Sequence, residues 1–242
     1  MNRAEIKSRL KDNLAAVENR IQTACRRSGR ERDSVRLIAV TKYVGAEIAA
    51  QLPELGIFDL GESRPQELWH KAADLPKNIR WHLIGHLQRN KVERTLLLAA
   101  LIHSVDSERL LTSISDFATK ADITTNVLLE VNLSREPNKH GFEHDQVPLF
   151  APHAQWPYPN VFPLGLMTMA EAAADPEQSR ATFAELRQLR DRIRSDGSHD
   201  FLHDLSMGMS HDFEVAIEEG ATMVRIGSSL FEGLLEAEHK PP

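Results

Sequence analysis

The stretch Leu37-Ile38-Ala39-Val40-Thr41-Lys42 decides how this 242-residue chain folds. This short apolar run lies between the charged residues 30–33 and Gly45 and predicts a strand buried on both faces, as in a parallel sheet. The strand ends in a lysine. If that end borders a dry pocket, the amine is held neutral and is nucleophilic enough to form a Schiff base. A solvated lysine that merely follows a strand is the alternative.

The same pattern, a short apolar strand followed by a helix, repeats along the chain. Apolar positions every three or four residues first predict a helix over residues 3–28. The predicted strands cover residues 37–42, 57–60, 80–85, 101–105, 126–132, 164–167, 200–206 and 222–227. The predicted helices between them cover residues 45–53, 64–74, 86–98, 107–120 with Ser107 as N-cap, 145–151, 176–195 and 211–219.

Eight strands that alternate with helices predict a single-domain α/β protein over residues 1–242, a (β/α)8 TIM barrel. The barrel is expected over about residues 35–235, with the first helix as an addition. A doubly wound open sheet is the structural alternative. It is weakened because the chain lacks the glycine-rich fingerprints G-x-G-x-x-G and G-x-x-x-x-G-K-[ST].

Composition excludes several classes of protein. The chain has 29 basic and 35 acidic residues and a formal net charge of -6, with no dense basic stripe, so no nucleic acid partner is expected. The single cysteine, Cys25, excludes an internal disulfide and a cysteine-based zinc site, and we expect no metal. The amino terminus has no apolar signal region, and the longest apolar run, residues 96–102, is too short for a bilayer. We therefore expect a cytoplasmic protein without a membrane partner.

Two small, serine-containing loops follow the last two predicted strands. One is Ser206-Met207-Gly208-Met209-Ser210, and the other is Gly227-Ser228-Ser229. In (β/α)8 barrels, phosphate is often bound by the loops after strands seven and eight, where N–H groups and hydroxyls offer aimed donors. Helix capping by glycine and serine is the simpler explanation of each loop alone. Their joint occurrence in the two expected places favours a phosphate site.

A reactive amine and a phosphate site are the two anchors that pyridoxal 5′-phosphate (PLP) requires. Strand alternation places Arg225 on the same side as Gly227, so its guanidinium is a candidate partner for the pyridine nitrogen. A fixed positive charge there would keep that nitrogen unprotonated and weaken the ring as an electron sink. An ion pair of Arg225 with a carboxylate such as Glu232 is the alternative.

Several motifs, in order and with matching spacing between residues 37 and 233, give the chain a specific resemblance. They are Ala39-Val40-Thr41-Lys42, Gly61-Glu62-Ser63-Arg64-Pro65-Gln66-Glu67, Trp81-His82-Leu83-Ile84-Gly85-His86-Leu87-Gln88, His103-Ser104-Val105-Asp106, Gly165-Leu166-Met167, Leu205-Ser206-Met207-Gly208-Met209-Ser210 and Val224-Arg225-Ile226-Gly227. The chain resembles the YggS/PROSC family of pyridoxal phosphate homeostasis proteins.

The resemblance implies a PLP fold type III barrel related to the amino-terminal domain of alanine racemase, with Lys42 as the Schiff-base lysine. It also implies a role in vitamin B6 and amino-acid homeostasis without established catalysis, as a monomer that supplies PLP-dependent apoenzymes. The predicted cofactor-binding residues are Lys42, Ser63, Ser206, Met207, Ser210, Arg225, Gly227 and Ser228. Two departures from the family pattern are Ser63, where the family usually has asparagine, and the additional acidic residue Glu232.

A PLP-dependent amino-acid racemase is the main functional alternative. A racemase needs a second acid/base opposite the lysine. Of the two tyrosines, Tyr43 is expected to point away from Lys42, and Tyr158 to lie at the far end of the barrel. The histidines His82, His86 and His211 are weaker candidates.

Two further alternatives concern other chemistry and another lysine. A hydrolase or metal enzyme is disfavoured because the sequence around Ser210 lacks the second glycine of a nucleophile elbow, and because His82 and His86 are not in an H-E-x-x-H frame. Lys139, in the loop after the fifth predicted strand, is the rival amine for the cofactor.

Overall fold

The computed structural model describes residues 1–133, 140–144, 147, 156–171, 174–195 and 202–234. Its first element is the helix α1, Arg3–Arg27, which Asn2 caps in a reciprocal capping box with Glu5. The apolar face of α1, with Ile6, Leu10 and Ile21, is buried. The predicted amino-terminal helix is thus confirmed to within one residue at its end.

Eight parallel strands close into a barrel, as the sequence predicts. The described residues contain nine strands, which are β1 Arg36–Val40, β2 Asp59–Glu62, β3 Arg80–Leu83, β4 Ala99–Val105, β5 Thr125–Asn132, β6 Phe142–Glu143, β7 Val161–Met167, β8 Asp204–Met209 and β9 Met223–Ile226. β1 pairs with both β2 and β9, and β4 pairs with β5, which closes the ring of eight. The two-residue β6 lies outside this ring and pairs only with the end of β5.

The helices around the barrel are shorter than the sequence predicts. After α1 they are α2 Ala46–Ala49, α3 Pro65–Asp74, α4 Val92–Leu96, α5 Glu108–Lys120, α6 Arg180–Ser195 and α7 Phe213–Glu218. Short 3-10 turns take the place of parts of the predicted helices, at Pro53–Leu55, Arg89–Lys91 and Pro176–Ser179, and a further one, Arg32–Ser34, precedes β1. Ser107 is the N-cap residue of α5, as predicted, but its side chain accepts no capping hydrogen bond from the helix; its hydroxyl donates to Asp106 Oδ1 at 3.0 Å.

Two separate apolar layers fix the position of the strands. The larger layer lies between the outside of the barrel and the helices and contains Leu37 and Ala39 of β1. The smaller one comes from alternate residues such as Ile38 and fills the barrel interior. Its members are Ile38, Leu101, Leu128, Met167 and Met223. No helix in the described part of the chain is long and apolar enough to span a bilayer.

The seventh barrel strand differs most from its prediction. It was expected to end at Ser206, but β8 continues to Met209, and residues 200–201 of the predicted strand lie outside the described residues. The strand bends at Gly208, which has a φ of +87° and whose Cβ would lie 2.5 Å from Ala216 Cβ. Only glycine fits there. The phosphate-type loop therefore begins at Ser210 rather than at Ser206. The predicted helix near residues 145–151 and Lys139 lie outside the described residues.

Candidate cofactor site

A continuous chain of hydrogen bonds crosses the barrel interior and ends at Arg225. Asp59, at the start of β2, contacts His82 Nε2 at 2.9 Å, and His82 Nδ1 contacts His103 Nε2 at 2.9 Å. His103 Nδ1 in turn lies 2.8 Å from Ser206 Oγ. Arg225 Nη1 donates to Ser206 Oγ at 2.6 Å, and Nη2 donates to the Thr168 carbonyl at 2.9 Å. We call Asp59, His82, His103, Ser206 and Arg225 the interior relay.

The two ends of the interior relay and the neutral state of its histidines together determine the direction of its bonds. Arginine only donates and an ionised aspartate only accepts, so Ser206 accepts from Arg225, and His82 donates from Nε2 to Asp59. Because both rings are neutral, His82 Nδ1 accepts from His103 Nε2, and His103 Nδ1 accepts from the Ser206 hydroxyl. Both histidines are then Nε2–H tautomers.

Burial controls the charges of the interior relay. It lowers the pKa of His82 and lowers that of His103 well below the usual value, which keeps both rings neutral. Burial alone would raise the pKa of Asp59, but hydrogen bonds from Arg80 and His82 outweigh it and hold this pKa well below its usual value. Burial also lowers the pKa of Arg225 to about 10, so its guanidinium remains charged at neutral pH.

Ser206 and Met207 do not lie where a loop contact with phosphate would require. The Ser206 hydroxyl is fully buried within β8 and is bonded to both Arg225 and His103. The Met207 side chain is buried in the outer apolar layer. Their predicted position in a loop is wrong because β8 runs through both residues. Ser206 therefore helps to hold the Arg225 guanidinium in place, and Met207 packs against the outer face of the barrel.

The two predicted phosphate loops do meet. The backbone N–H groups of Gly227 and Ser229 donate to Ser210 Oγ at 3.1 and 3.4 Å, and the Ser229 hydroxyl donates to the Ser210 carbonyl at 3.4 Å. Ser228 lies half-buried between the two donors. Two aimed N–H groups and nearby hydroxyls form the kind of donor set that binds an anion. Ser229 is a member of this set that the predicted residues did not include.

The turn of residues 227–229, which we call the phosphate-type turn, also lies against the end of β1. A Cβ at Gly227 would lie 3.2 Å from the Val40 carbonyl oxygen. Two residues beyond Val40 the chain reaches Lys42. Residues 227–229 and the backbone of the predicted Schiff-base lysine are thus neighbours at the mouth, by which we mean the end of the barrel where the strands have their carboxyl ends.

The expectation that Lys42 lies in a dry pocket is wrong. Its side chain is exposed, and its ammonium lies 4.8 Å from the centroid of the Tyr43 ring. It lines a groove of about 460 Å³, together with Arg64 and His70, outside the barrel interior. Tyr43, expected on the opposite side from Lys42, also lines this groove. The amine is therefore accessible but not desolvated in this conformation.

The backbone just before Lys42 is held by a buried ion pair. Lys71 Nζ contacts Glu62 Oε1 at 2.5 Å and donates to the Thr41 carbonyl at 2.8 Å, while the Thr41 hydroxyl donates to the same carboxylate at 2.6 Å. The second oxygen of Glu62 is buried and has no hydrogen-bond partner among the residues that the structure describes. The Thr41 N–H also donates to the Gly61 carbonyl at 2.9 Å, so Thr41 is fixed at three points, whereas the side chain that follows it is exposed to solvent.

A cavity of about 380 Å³ lies at the mouth, next to Met209 at the end of β8. It is lined by Glu130, His86, His140, Met169 and Met209 among others. Burial, with a further contribution from Asp106, raises the pKa of Glu130 to about 7. Glu130 is therefore a candidate acid or base at the mouth, and it is not among the residues predicted from the sequence.

The remaining predicted residues occupy varied places. Ser63 is half-buried at the end of β2, where a Cβ at Gly85 would lie 2.3 Å from its carbonyl oxygen. Tyr158 packs edge-on against Trp156 before β7, at the far end of the barrel as expected. Glu232 is exposed, and its carbonyl accepts from Asn13. Among the described residues it is not the partner of Arg225.

Comparison with known proteins agrees with this architecture. Residues 13–234 match the family model of the alanine racemase N-terminal domain. The chain is 42% identical over 222 residues to a pyridoxal phosphate homeostasis protein of Aquifex aeolicus, which covers 91% of this chain and 96% of that protein. The fold therefore defines a barrel of the alanine racemase N-terminal class.

Two solved structures are similar over nearly their whole length. A Bifidobacterium adolescentis protein of unknown function has a TM-score of 0.86 at 35% identity, covering 96% of this chain and 97% of that one. PipY of Synechococcus elongatus, solved with PLP bound, has a TM-score of 0.77 at 31% identity, covering 92% and 99%. Within the alanine racemase N-terminal class, the chain belongs to the family of pyridoxal phosphate homeostasis proteins.

Proposed function

We propose that this chain binds PLP at the mouth and serves in the homeostasis of this cofactor and of amino acids in the cytoplasm, without catalysis. The observation that supports this most is the convergence of Ser210 and residues 227–229 beside the end of the strand that leads to Lys42. The relatives' name and the PLP bound in the similar PipY structure point to the same cofactor.

The residues present fit the two charged ends of PLP. The N–H groups of Gly227 and Ser229 and the Ser210 hydroxyl would bind the phosphate, and Ser228 is in reach of the same anion as part of the turn. Arg225, fixed by the interior relay, would place a positive charge near the pyridine ring. Bound PLP supplies an electrophilic aldehyde and an electron-accepting ring.

Lys42 would supply the amine that bonds covalently to the aldehyde. The side chain must turn from the Tyr43 ring toward the mouth, a rotation about side-chain torsions that leaves the anchored Thr41 backbone in place. An amine that is exposed to solvent suits reversible loading and release. This supports a carrier that supplies apoenzymes, and we propose that it acts as a monomer.

A fixed positive charge at Arg225 also bears on reactivity. A guanidinium is too weak an acid to transfer a proton to a neighbouring pyridine nitrogen, and its positive charge disfavours a second cation beside it. A pyridine nitrogen next to Arg225 would therefore remain unprotonated. The bound ring would then stabilise a carbanion poorly. This is consistent with a protein that holds the cofactor rather than one that turns over amino acids.

A PLP-dependent amino-acid racemase remains the second candidate, and Glu130 is the observation that favours it. Its pKa of about 7 suits general acid/base chemistry, and it lines the mouth cavity. Interconversion of L- and D-amino acids by the PLP-loaded chain, above the rate given by free PLP, would support the racemase and contradict the carrier without catalysis.

The absorbance spectrum of the purified chain tests the binding proposal. We expect a visible band from bound PLP, present as purified or formed when PLP is added, and lost in Lys42→Ala. Lys11→Ala, an exposed lysine of α1, is the matched control and should keep the band. A wild-type chain that stays colourless with added PLP, or a Lys42→Ala variant with an unchanged band, contradicts the proposal.

A further inference from the structure

Three potential metal ligands meet at the rim of the mouth: His86, Asp106 and His140. They follow β3, β4 and β5, three neighbouring strands of the barrel. His86 Nδ1 lies 2.9 Å, and His140 Nδ1 lies 3.3 Å, from the same oxygen, Asp106 Oδ2. The three ligand atoms all lie within 4.8 Å of one another. The barrel thus brings residues distant in sequence to one point.

The spacing and the ligand types fit a zinc-class ion. With bonds of about 2.0–2.1 Å, two ligand atoms of a tetrahedral zinc site are separated by roughly 3.3 Å, close to the two distances to Asp106 Oδ2. Two imidazoles and one carboxylate are a common ligand set for first-row divalent cations. The two imidazole rings are stacked, with centroids 4.3 Å apart and planes inclined by 22°.

Asp106 is already oriented for this role. Its side chain is only 7% exposed, and the Ser107 hydroxyl donates to the oxygen that does not face the histidines, at 3.0 Å. Such outer hydrogen bonds orient metal ligands in known sites. Both imidazoles bring Nδ1 close to the same carboxylate oxygen. A divalent cation satisfies all three ligand atoms together.

We propose that His86, Asp106 and His140 bind one divalent cation of the zinc class. Three protein ligands leave a coordination position for water or a small molecule. His86 and His140 also line the mouth cavity of about 380 Å³, so that position is next to the space where a small ligand fits. The site replaces the expectation of no metal, and it does not depend on PLP binding.

Calorimetric titration of the chelator-treated, untagged full chain with Zn²⁺ tests the site, and the visible spectrum with Co²⁺ reports its geometry. We expect one equivalent of each ion to bind, with a tetrahedral Co²⁺ spectrum. His86→Ala, His140→Ala and Asp106→Asn should each weaken Zn²⁺ binding by at least about tenfold, since even outer partners cost that much.

The matched control is His70→Ala. His70 and Asp74 form an exposed pair on α3 at 3.3 Å, and the described part of the chain offers no third ligand beside them, so this variant should bind Zn²⁺ as the wild type does. His86 and His140 are exposed, and their variants are expected to fold even if Asp106→Asn does not. The absence of one-equivalent binding overturns the proposal, as does binding that His86→Ala and His140→Ala leave unchanged. Neither readout requires bound PLP.

Discussion

The polar groups of the interior relay are buried and hydrogen-bonded to one another, whereas the predicted Schiff-base lysine at the rim of the mouth is exposed to solvent. From Asp59 to Arg225, every link of the relay is a hydrogen bond of 2.6–2.9 Å in a buried setting. At the rim, Lys42 is exposed and its ammonium lies 4.8 Å from the centroid of the Tyr43 ring. The guanidinium is therefore fixed by buried hydrogen bonds, whereas the amine is in contact with solvent. A site with one buried and one exposed anchor suits a protein that binds a cofactor and releases it.

The largest expected effect comes from breaking the interior relay. His103→Leu leaves the proton of the Ser206 hydroxyl and the His82 Nδ1 acceptor without the partners that they have in the wild type, at about 1–3 kcal/mol each, so the free energy of unfolding should fall by about 2–6 kcal/mol. Lys42→Ala at the rim should change it by less than about 0.5 kcal/mol. Urea unfolding at neutral pH measures both.

His203→Leu is the matched control for this comparison, because it makes the same substitution at an exposed histidine. It should leave stability close to that of the wild type. If His103→Leu is no more damaging than His203→Leu, the interior relay does not hold the barrel interior together, and the contrast with the rim fails.

A smaller, pH-dependent effect is expected at Glu130. Its pKa is about 7 in the folded chain and near 4.5 when unfolded, so the folded state binds more protons between these values, and stability falls as pH rises from about 4.5 to 7. Glu130→Gln should remove this loss, raising the free energy of unfolding by up to about 3 kcal/mol at pH 8 with little change at pH 4.

The buried neutral histidines act in the opposite direction. Their stabilisation is present above about pH 6.5 and is lost as pH falls below it, because the unfolded chain then takes up protons that the folded chain does not. Both proteins contain these histidines, so the difference in the free energy of unfolding between Glu130→Gln and the wild type, measured across pH, reports on Glu130 alone. Glu143→Gln, an exposed carboxylate of β6, is the control and should show no such difference. A flat difference for Glu130→Gln would contradict its burial as a neutral acid.

Local sequence patterns were sufficient for the barrel but not for the site. The alternation of apolar strands and helices gives the closed ring because each strand has its own hydrophobic signal, as in Leu37 to Val40. The end of β8 was missed because Ser206 and Gly208 look like loop residues. Their place in a strand depends on a buried partner, Arg225, and on a close approach to Ala216.

Side-chain direction was the other limit. His82 and His103 were visible as polar residues inside apolar strands, a signal for a buried network, but their mutual contact depends on the register of β3 and β4. Lys42 follows the end of a strand, where alternation no longer fixes the side chain. The sequence periodicity therefore predicts that Lys42 lies at the mouth, but it does not predict that its side chain is exposed.

The most direct test of the central claim is reduction of the PLP-loaded chain with borohydride followed by peptide mapping. We predict that the reduced cofactor is attached to the peptide containing Lys42 and that Lys139→Ala leaves this label in place. A label on Lys139, with none on Lys42, would contradict the account.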